Sequence, residues 1–158
     1  MKLPIVRDVM ARALVTLKPD IDIYKAMEIL LKHKVSGAPV IDENYRLLGV
    51  LSELDCLRFF TAGAYTQFPG GTVGDFMTKD VRTVGPDAGL FTVAGIFLKH
   101  SFRRLPVVEN DRLIGQVSRR DVMEGSRKMM QDSGPDAVWT DSKYFSDEIK
   151  AKLQTMKL

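Results

Sequence analysis

Two short segments of the chain combine residue types that suit the binding of a phosphorylated ligand. Each has a glycine, a serine three residues later and an aspartate three residues after that, at Gly49–Asp55 and Gly115–Asp121. The glycine lets another group approach the backbone closely. A helix that begins at the serine offers unpaired N–H groups and a positive dipole end to a phosphate. A carboxylate one turn into that helix can accept hydrogen bonds from the two hydroxyls of a ribose, so the motif predicts nucleotide binding.

The same residues also fit a purely structural role. A serine followed three residues later by an acidic residue is the pattern of a capping box, in which the two side chains satisfy N–H groups at the start of a helix. Aspartate is shorter than the glutamate or glutamine usual in a capping box, and the preceding glycine is not part of one. Because the whole motif also occurs twice, we interpret it as a binding motif and keep the capping box as the alternative.

The motif occurs twice because the chain is a tandem duplication. A constant shift with one deletion aligns the first half with the second. The identical pairs include Asp8 and Asp75, Met10 and Met77, Thr16 and Thr83, Pro19 and Pro86, and Pro39 and Pro106. The predicted domains are a first repeat at residues 1–60, a glycine-rich connector at 61–72, a second repeat at 73–128 and a C-terminal extension at 129–158. The extension is predicted to contain a terminal helix from Ser146, which packs on its own module or on a partner.

Each repeat shows the pattern of three short strands and two helices. A β-rich run at 14–17 or 81–84 ends close to a proline, which cannot donate to a sheet. A helix with one apolar face follows, and the first such helix is predicted to end at Ser36–Gly37. The apolar positions are Ile23, Ala26, Met27, Leu30 and Leu31, and then Leu90, Val93, Ala94, Phe97 and Leu98. Two strands joined by a polar turn lead to a second helix, which begins at Ser52 or Ser118. The predicted fold class is α+β, with the order β-α-β-β-α twice.

The composition predicts a folded protein of a reducing compartment. The chain is 45% hydrophobic and 27% charged, which excludes disorder, and its single cysteine cannot form an internal disulfide. A net charge of +3 is a mild imbalance, so no nucleic-acid partner is predicted. The N-terminus does not resemble a signal peptide, and no apolar run approaches the roughly 18–20 residues of a membrane span. We therefore predict a cytoplasmic protein without a membrane partner.

No residue pattern typical of an enzyme is found in the sequence. It lacks a nucleophile–base pairing, a cluster of metal ligands and a phosphate loop of the G-x-x-x-x-G-K-S/T type. His33 and His100 occupy matching positions near helix ends, where the helix dipole favours a protonated histidine. Cys56 has no histidine beside it in the sequence. We therefore predict no catalytic residue and no metal site.

The duplicated β-α-β-β-α order, the Pro-Val pairs at Pro39 and Pro106, and the paired glycine–serine–aspartate motif resemble a CBS domain pair. This tandem of the cystathionine-β-synthase type is also called a Bateman module. The resemblance covers about residues 5–128 and includes both repeats. It implies an α+β module with pseudo-twofold symmetry and two clefts for adenosine-containing ligands. In each cleft, the aspartate of one repeat would face the first strand and the pre-proline loop of the other repeat.

The resemblance assigns residues to each of the two clefts. One cleft would contain Val50, Ser52, Asp55, Val81, Arg82, Thr83, Arg103, Arg104, Leu105 and Pro106. The other would contain Gln116, Ser118, Arg119, Arg120, Asp121, Val15, Thr16, Ser36, Gly37, Ala38 and Pro39. Arg103 and Arg104 suit a phosphate in the first cleft, although Glu53 beside Ser52 opposes an anion. We expect at least one working site and favour the Asp55 cleft.

The function implied by the resemblance is that of a regulatory sensor. The module would bind AMP, ADP, ATP or a related compound such as NAD or S-adenosylmethionine, and binding would change the packing of its repeats. Modules of this family usually pair face to face, so a homodimer is predicted. With no catalytic domain in the sequence, the output would pass to a protein partner in trans. The alternative is a scaffold that binds a protein or a nucleic acid and has non-functional clefts.

Overall fold

The computed structural model describes residues 3–67, 70–133 and 151 of the chain. Six helices and four strands are described in that part. In chain order they are α1 (Val6–Val9), α2 (Ile23–Lys32), β1 (Gly37–Ile41), β2 (Leu47–Ser52), α3 (Glu53–Thr66), α4 (Val73–Phe76), α5 (Leu90–Lys99), β3 (Arg104–Glu109), β4 (Arg112–Ser118) and α6 (Arg119–Ser133). The mixture of helices and short sheets confirms the α+β class.

The strands form two sheets of two strands each, β1 with β2 and β3 with β4. In the first sheet the strands are antiparallel, with Gly37 opposite Ser52 and Pro39 opposite Val50. All four strands lie where the sequence predicts them. The polar turns between them bend back through left-handed residues, Tyr45 with a φ of 61° and Asn110 and Asp111 with φ values of 50° and 62°.

The predicted first strand of each repeat is reduced to a single bridge. Leu17 pairs in parallel with Val40, where its N–H donates to Pro39 O and its carbonyl accepts from Ile41 N, each over 2.9 Å. A longer parallel ladder would need the N–H of Pro39 in one direction and that of Pro19 in the other, and proline has none. The bridge between Val84 and Val107 is limited in the same way by Pro106 and Pro86.

Helix α2 ends earlier than the sequence predicts. Lys34 adopts a left-handed φ of 53°, and the Val35 N–H donates back to Leu30 O over 3.1 Å, which closes the helix before Ser36. The prediction of an end at Ser36–Gly37 is therefore wrong, and Gly37 begins β1 instead. Leu31, in the last turn of α2, is 78% exposed although the sequence predicted it on the apolar face.

The other apolar positions of these two helices are mostly buried as predicted. Ile23, Ala26 and Leu30 of α2 are buried, and so are Leu90, Val93 and Phe97 of α5. Leu98, in the last turn of α5, is 65% exposed like its counterpart in α2. Full burial of such a side chain contributes about 1.5–3 kcal/mol, so these stripes hold each helix on its core.

The chain divides into two compact units that exchange short helices between the repeats. One unit contains the described residues of Met1–Ala11, Val84–Val107 and Gln116–Leu158, and the other contains those of Arg12–Thr83 and Val108–Gly115. Helix α1, from the first repeat, donates Val6 N–H to Ala88 O over 2.9 Å in the unit of α5. Helix α4 donates Val73 N–H to Ile21 O over 2.8 Å in the unit of α2. Neither four-residue helix is long enough to show an apolar period, and neither was predicted.

The connector and the C-terminal extension differ from the sequence prediction in one respect each. Helix α3 continues to Thr66, so residues 61–66 of the predicted connector are helical. Helix α6 continues to Ser133, past the predicted end of the second repeat at residue 128. The terminal helix predicted from Ser146 lies outside the described residues.

Candidate functional site

Both glycine–serine–aspartate motifs form capping boxes in the structure. At the start of α3, Ser52 N and Ser52 Oγ donate to Asp55 Oδ2 over 2.9 and 2.8 Å, and Asp55 N donates to Ser52 Oγ over 3.1 Å. At the start of α6, the same bonds between Ser118 and Asp121 measure 2.7, 2.7 and 3.2 Å. The structural interpretation of the motif is therefore correct for both copies. In each of them one carboxylate oxygen, Oδ1, remains for another partner.

The remaining oxygen of Asp55 is occupied by the protein itself. Asp55 Oδ1 accepts from Arg58 Nη1 and from Thr78 Oγ1, each over 3.2 Å. Asp55 is only 5% exposed, although the Arg58 side chain that pairs with it is 68% exposed. The carboxylate predicted to bind a ribose is thus buried and fully hydrogen-bonded without any ligand.

The remaining oxygen of Asp121 has no donor among the described residues, and this side chain is half-buried rather than buried. Comparison of the repeats shows why. The position of Arg58 is held by Glu124, which is no donor and pairs with Arg120 Nε over 3.1 Å. The position of Thr78 is held by Ala11, which has no hydroxyl. Both donors of the Asp55 site are therefore missing at Asp121.

The segment that carries Thr78 or Ala11 is held in the same way in both units. Val50 and Thr78 exchange two backbone hydrogen bonds of 2.9 Å, and Ala11 and Gln116 do the same. Gly49 makes this approach possible, because a Cβ there would lie 2.5 Å from Thr78 O. The sequence predicted a close approach to this glycine, and the group that approaches Gly49 is the protein's own backbone.

The loop before each proline lies beside the motif of its own repeat. Glu53 N donates to Ser36 O over 2.9 Å, and Arg119 N donates to Arg103 O over 3.3 Å. Arg103 and Arg104 therefore lie in the unit that contains Ser118 and Asp121. The sequence alone did not predict that the pre-proline loop with its two arginines adjoins the start of α6.

The predicted clefts draw on both units. Val81, Arg82 and Thr83 belong to the same unit as the Asp55 motif. The other residues predicted for that cleft belong to the other unit, and these are Arg103, Arg104, Leu105 and Pro106. The predicted partners of the Asp121 motif, which are Val15, Thr16, Ser36, Gly37, Ala38 and Pro39, belong to the unit of Asp55. Leu105, Pro106, Ala38 and Pro39 are buried, so their side chains are core residues of their own units.

Electrostatics also distinguish the two helix starts. Helix α3 begins with the acidic Glu53, whereas α6 begins with Arg119 and Arg120, both exposed. No carboxylate in the described part of the chain pairs with Arg119. A helix N-terminus already favours an anion, and the two arginines strengthen that preference at α6.

Cys56 follows Asp55 in α3 and is buried. Burial raises the pKa of the Cys56 thiol, and the neighbouring carboxylates of Asp55 and Glu53 raise it further. A protonated, buried thiol is a poor nucleophile. Among the described residues, no three histidine, cysteine or acidic side chains gather into a group that could hold a metal ion. Within the same part of the chain, no helix has the length and apolar character needed to cross a bilayer.

The family model of the CBS domain matches the chain twice, at residues 6–62 and 73–128. The chain therefore belongs to the CBS domain family and carries a pair of these domains, as the sequence predicted.

Curated relatives include both short and long proteins. The chain is 32% identical over 142 residues to the chloroplastic CBS domain-containing protein CBSX2 of Arabidopsis thaliana, across 73% of this chain and 60% of that protein. It is 34% identical over 112 residues to the inosine-5'-monophosphate dehydrogenase of Aquifex aeolicus, across 70% of this chain and 22% of the enzyme. The chain thus spans less than two thirds of the length of these relatives.

Two solved structures of similar fold contain adenosine compounds. The crystal structure of CBSX2 in complex with AMP has a TM-score of 0.71 at 34% identity and covers 79% of this chain and 97% of that one. The CBS domain pair of protein MJ0100, in complex with 5'-methylthioadenosine and S-adenosyl-L-methionine, has a TM-score of 0.65 at 27% identity and covers 82% and 100%. CBSX2 and MJ0100, two proteins similar to this chain in fold, therefore bind adenosine-containing ligands.

Proposed function

We propose that this CBS domain pair is a regulatory module that binds an adenine nucleotide through the Asp121 motif. The observation that carries the proposal is the vacant Oδ1 of Asp121, which has no donor among the described residues while its neighbour Oδ2 is fixed by Ser118. A fixed carboxylate with one open oxygen suits the paired hydroxyls of a ribose. The ligands of the two similar structures support the adenosine part of the proposal.

The phosphate would be bound at the start of α6. Arg119 and Arg120 stand in the first turn of that helix, and Arg103 adjoins it through the bond from Arg119 N. Guanidinium groups and the positive end of a helix dipole both favour a phosphate over a neutral or cationic group. We therefore propose AMP, ADP or ATP as the ligand, in preference to S-adenosylmethionine, whose sulfonium is positive. This proposal places the working site at Asp121, whereas the sequence alone favoured Asp55.

The proposed output is a change in how the module meets other proteins. A ligand shifts such an equilibrium only through its difference in affinity between two states. Exposed apolar side chains on the helices that follow the motifs support a docking role: Leu57 and Phe60 on α3 are 58% and 56% exposed, and Met123 and Met130 on α6 are 66% and 58% exposed. We propose that these faces mediate the predicted homodimer and contact a partner protein. Cytoplasmic location and the absence of catalysis stay predictions.

A ligand panel tests the proposal on the wild-type chain. The thermal midpoint is measured with AMP, ADP, ATP, NAD, S-adenosylmethionine, adenosine and inorganic phosphate. A ligand at about one hundred times its Kd stabilises the chain by about 2.7 kcal/mol, a rise of roughly 5–10 °C at this size. We expect that rise with at least one adenine nucleotide. No rise with any nucleotide would refute the proposal and favour the scaffold alternative. A nucleic acid that binds the wild type and a D55N/D121N double variant equally well would support that alternative.

A further inference from the structure

The difference between the two motifs lies outside the motifs. Asp55 and Asp121 have the same serine partner and the same capping geometry. The donors that separate them are Arg58, one turn further along α3, and Thr78, on the segment that follows α4. These two residues therefore decide how much of the carboxylate is available to a ligand.

The acceptor sites of the Asp55 carboxylate are all occupied by donors of the protein. A carboxylate has about four lone-pair sites over its two oxygens. Asp55 uses them all, since Oδ2 accepts from Ser52 N and Ser52 Oγ while Oδ1 accepts from Arg58 and Thr78. A ribose could bind only after displacing one of the last two donors. At Asp121, by contrast, both sites of Oδ1 are open among the described residues.

The Thr78 hydroxyl is held in place by the backbone. Thr78 pairs with Val50 through two hydrogen bonds of 2.9 Å, and its carbonyl packs over Gly49, where a Cβ would lie only 2.5 Å away. The side chain therefore reaches Asp55 with little additional loss of conformational freedom. Ala11 has the same backbone pairing with Gln116, so the repeats share the backbone geometry here and differ in the hydroxyl and methyl groups of the threonine.

We infer that Thr78 and Arg58 are specificity-determining residues that close the Asp55 motif to a ribose, so that each chain takes a single adenine nucleotide, at Asp121. Asp55 then has a structural role, in which its hydrogen bond from Thr78 joins α3 to the segment after α4. This inference rests on the proposed function, because it concerns the second copy of the same kind of site.

Calorimetric stoichiometry with AMP tests the inference in the full chain. The wild type is expected to bind one AMP per chain. The double variant T78V/R58M removes both donors while keeping the bulk of each side chain, and it should bind a second AMP. Adding D55N to that variant should remove the second AMP again. A folded double variant that still binds one AMP would overturn the inference.

The reciprocal change covers the case in which the double variant does not fold. Ala11→Thr introduces the missing hydroxyl beside Asp121, and Ala11→Val is the matched control with similar bulk and no donor. Ala11→Thr should weaken AMP binding about tenfold relative to Ala11→Val, the effect of losing one hydrogen bond to a charged group. Equal affinity of these two variants would overturn the inference.

The outcomes for the wild type separate the two proposals. A wild-type chain that binds two AMP molecules would refute the closure of Asp55 and leave the proposed function standing. A wild-type chain that binds none of AMP, ADP and ATP would refute the proposed function and the inference with it.

Discussion

The Thr78 hydroxyl donates a hydrogen bond to Asp55 Oδ1 over 3.2 Å and so joins the segment after α4 to the start of α3. At the matching positions of the other unit stand Ala11 and Asp121, where no such bond exists. The two motifs are alike in sequence pattern and in capping geometry, but their carboxylates differ in how many acceptor sites stay open to a ligand. Because of this difference, we propose that the nucleotide binds at Asp121.

Gly49 is predicted to be required for the close contact between β2 and the segment after α4. In Gly49→Ala, the new Cβ would lie 2.5 Å from Thr78 O and 2.9 Å from Met77 Sδ, so the segment must move. We expect a loss of about 1–3 kcal/mol in the free energy of unfolding, measured by urea denaturation. Gly85→Ala is the control, because a Cβ there meets nothing within 4 Å. Equal stability of the two variants would show that the contact is not tight.

Arg119 is predicted to bind the phosphate and not the nucleoside. It stands in the first turn of α6 and has no carboxylate partner in the described part of the chain. Arg119→Gln should lower AMP affinity about fivefold, equivalent to about 1 kcal/mol, and leave adenosine affinity unchanged. Arg112→Gln, another exposed arginine, should change neither. If Arg119→Gln weakens adenosine and AMP equally, the phosphate is bound elsewhere.

The apolar face of α6 is predicted to lie in the homodimer interface. Met123 and Met130 are 66% and 58% exposed and stand seven residues apart, so they lie on one face of the helix. Met123→Lys should shift the molar mass measured by light scattering from dimer towards monomer, because a buried lysine at an interface costs desolvation energy. Leu31→Lys, which changes a 78% exposed residue of α2, should leave the dimer intact. A monomeric wild type would contradict the prediction.

The thiol of Cys56 is predicted to react slowly in the folded chain. Burial first, and then the carboxylates of Asp55 and Glu53, hold the pKa of Cys56 above its ordinary value. Only the thiolate is alkylated, so the rate with iodoacetamide should rise with pH later than for the unfolded chain. Mass spectrometry of the alkylated peptide in native and denatured protein measures this. Equal alkylation rates of Cys56 in native and denatured protein at about pH 7.5 would refute this prediction.

Much of the local structure could be predicted because it depends on near neighbours in the chain. The turns, the four strands and the capping serines Ser52 and Ser118 follow from residue type and spacing alone. The short first strand was overestimated, because only the pairing shows that Pro19 and Pro39 lie on both sides of the bridge at Leu17 and stop the ladder. The end of α2 was missed because Lys34, rather than a glycine, adopts the left-handed conformation.

The contacts that distinguish the two sites could not be predicted from local pattern. Thr78 reaches Asp55 only because α4 and the residues after it pack on the unit of the first repeat. A signal was nevertheless present, since aligning the repeats sets Arg58 against Glu124 and Thr78 against Ala11. Such differences between copies have no meaning until the fold shows that these positions adjoin the carboxylate.

Isothermal titration of AMP into the variants D121N and D55N tests most directly whether Asp121 binds the nucleotide. Each exchanges one oxygen of the carboxylate for an amide, so their effects on capping should be similar. If Asp121 binds the ribose, D121N weakens AMP binding by about 10- to 100-fold, the effect of losing hydrogen bonds to a charged group. D55N is then expected to lower the thermal midpoint and to leave AMP affinity within about twofold of the wild type. Loss of AMP binding in D55N, with D121N unaffected, would contradict binding at Asp121 and show that AMP binds at Asp55.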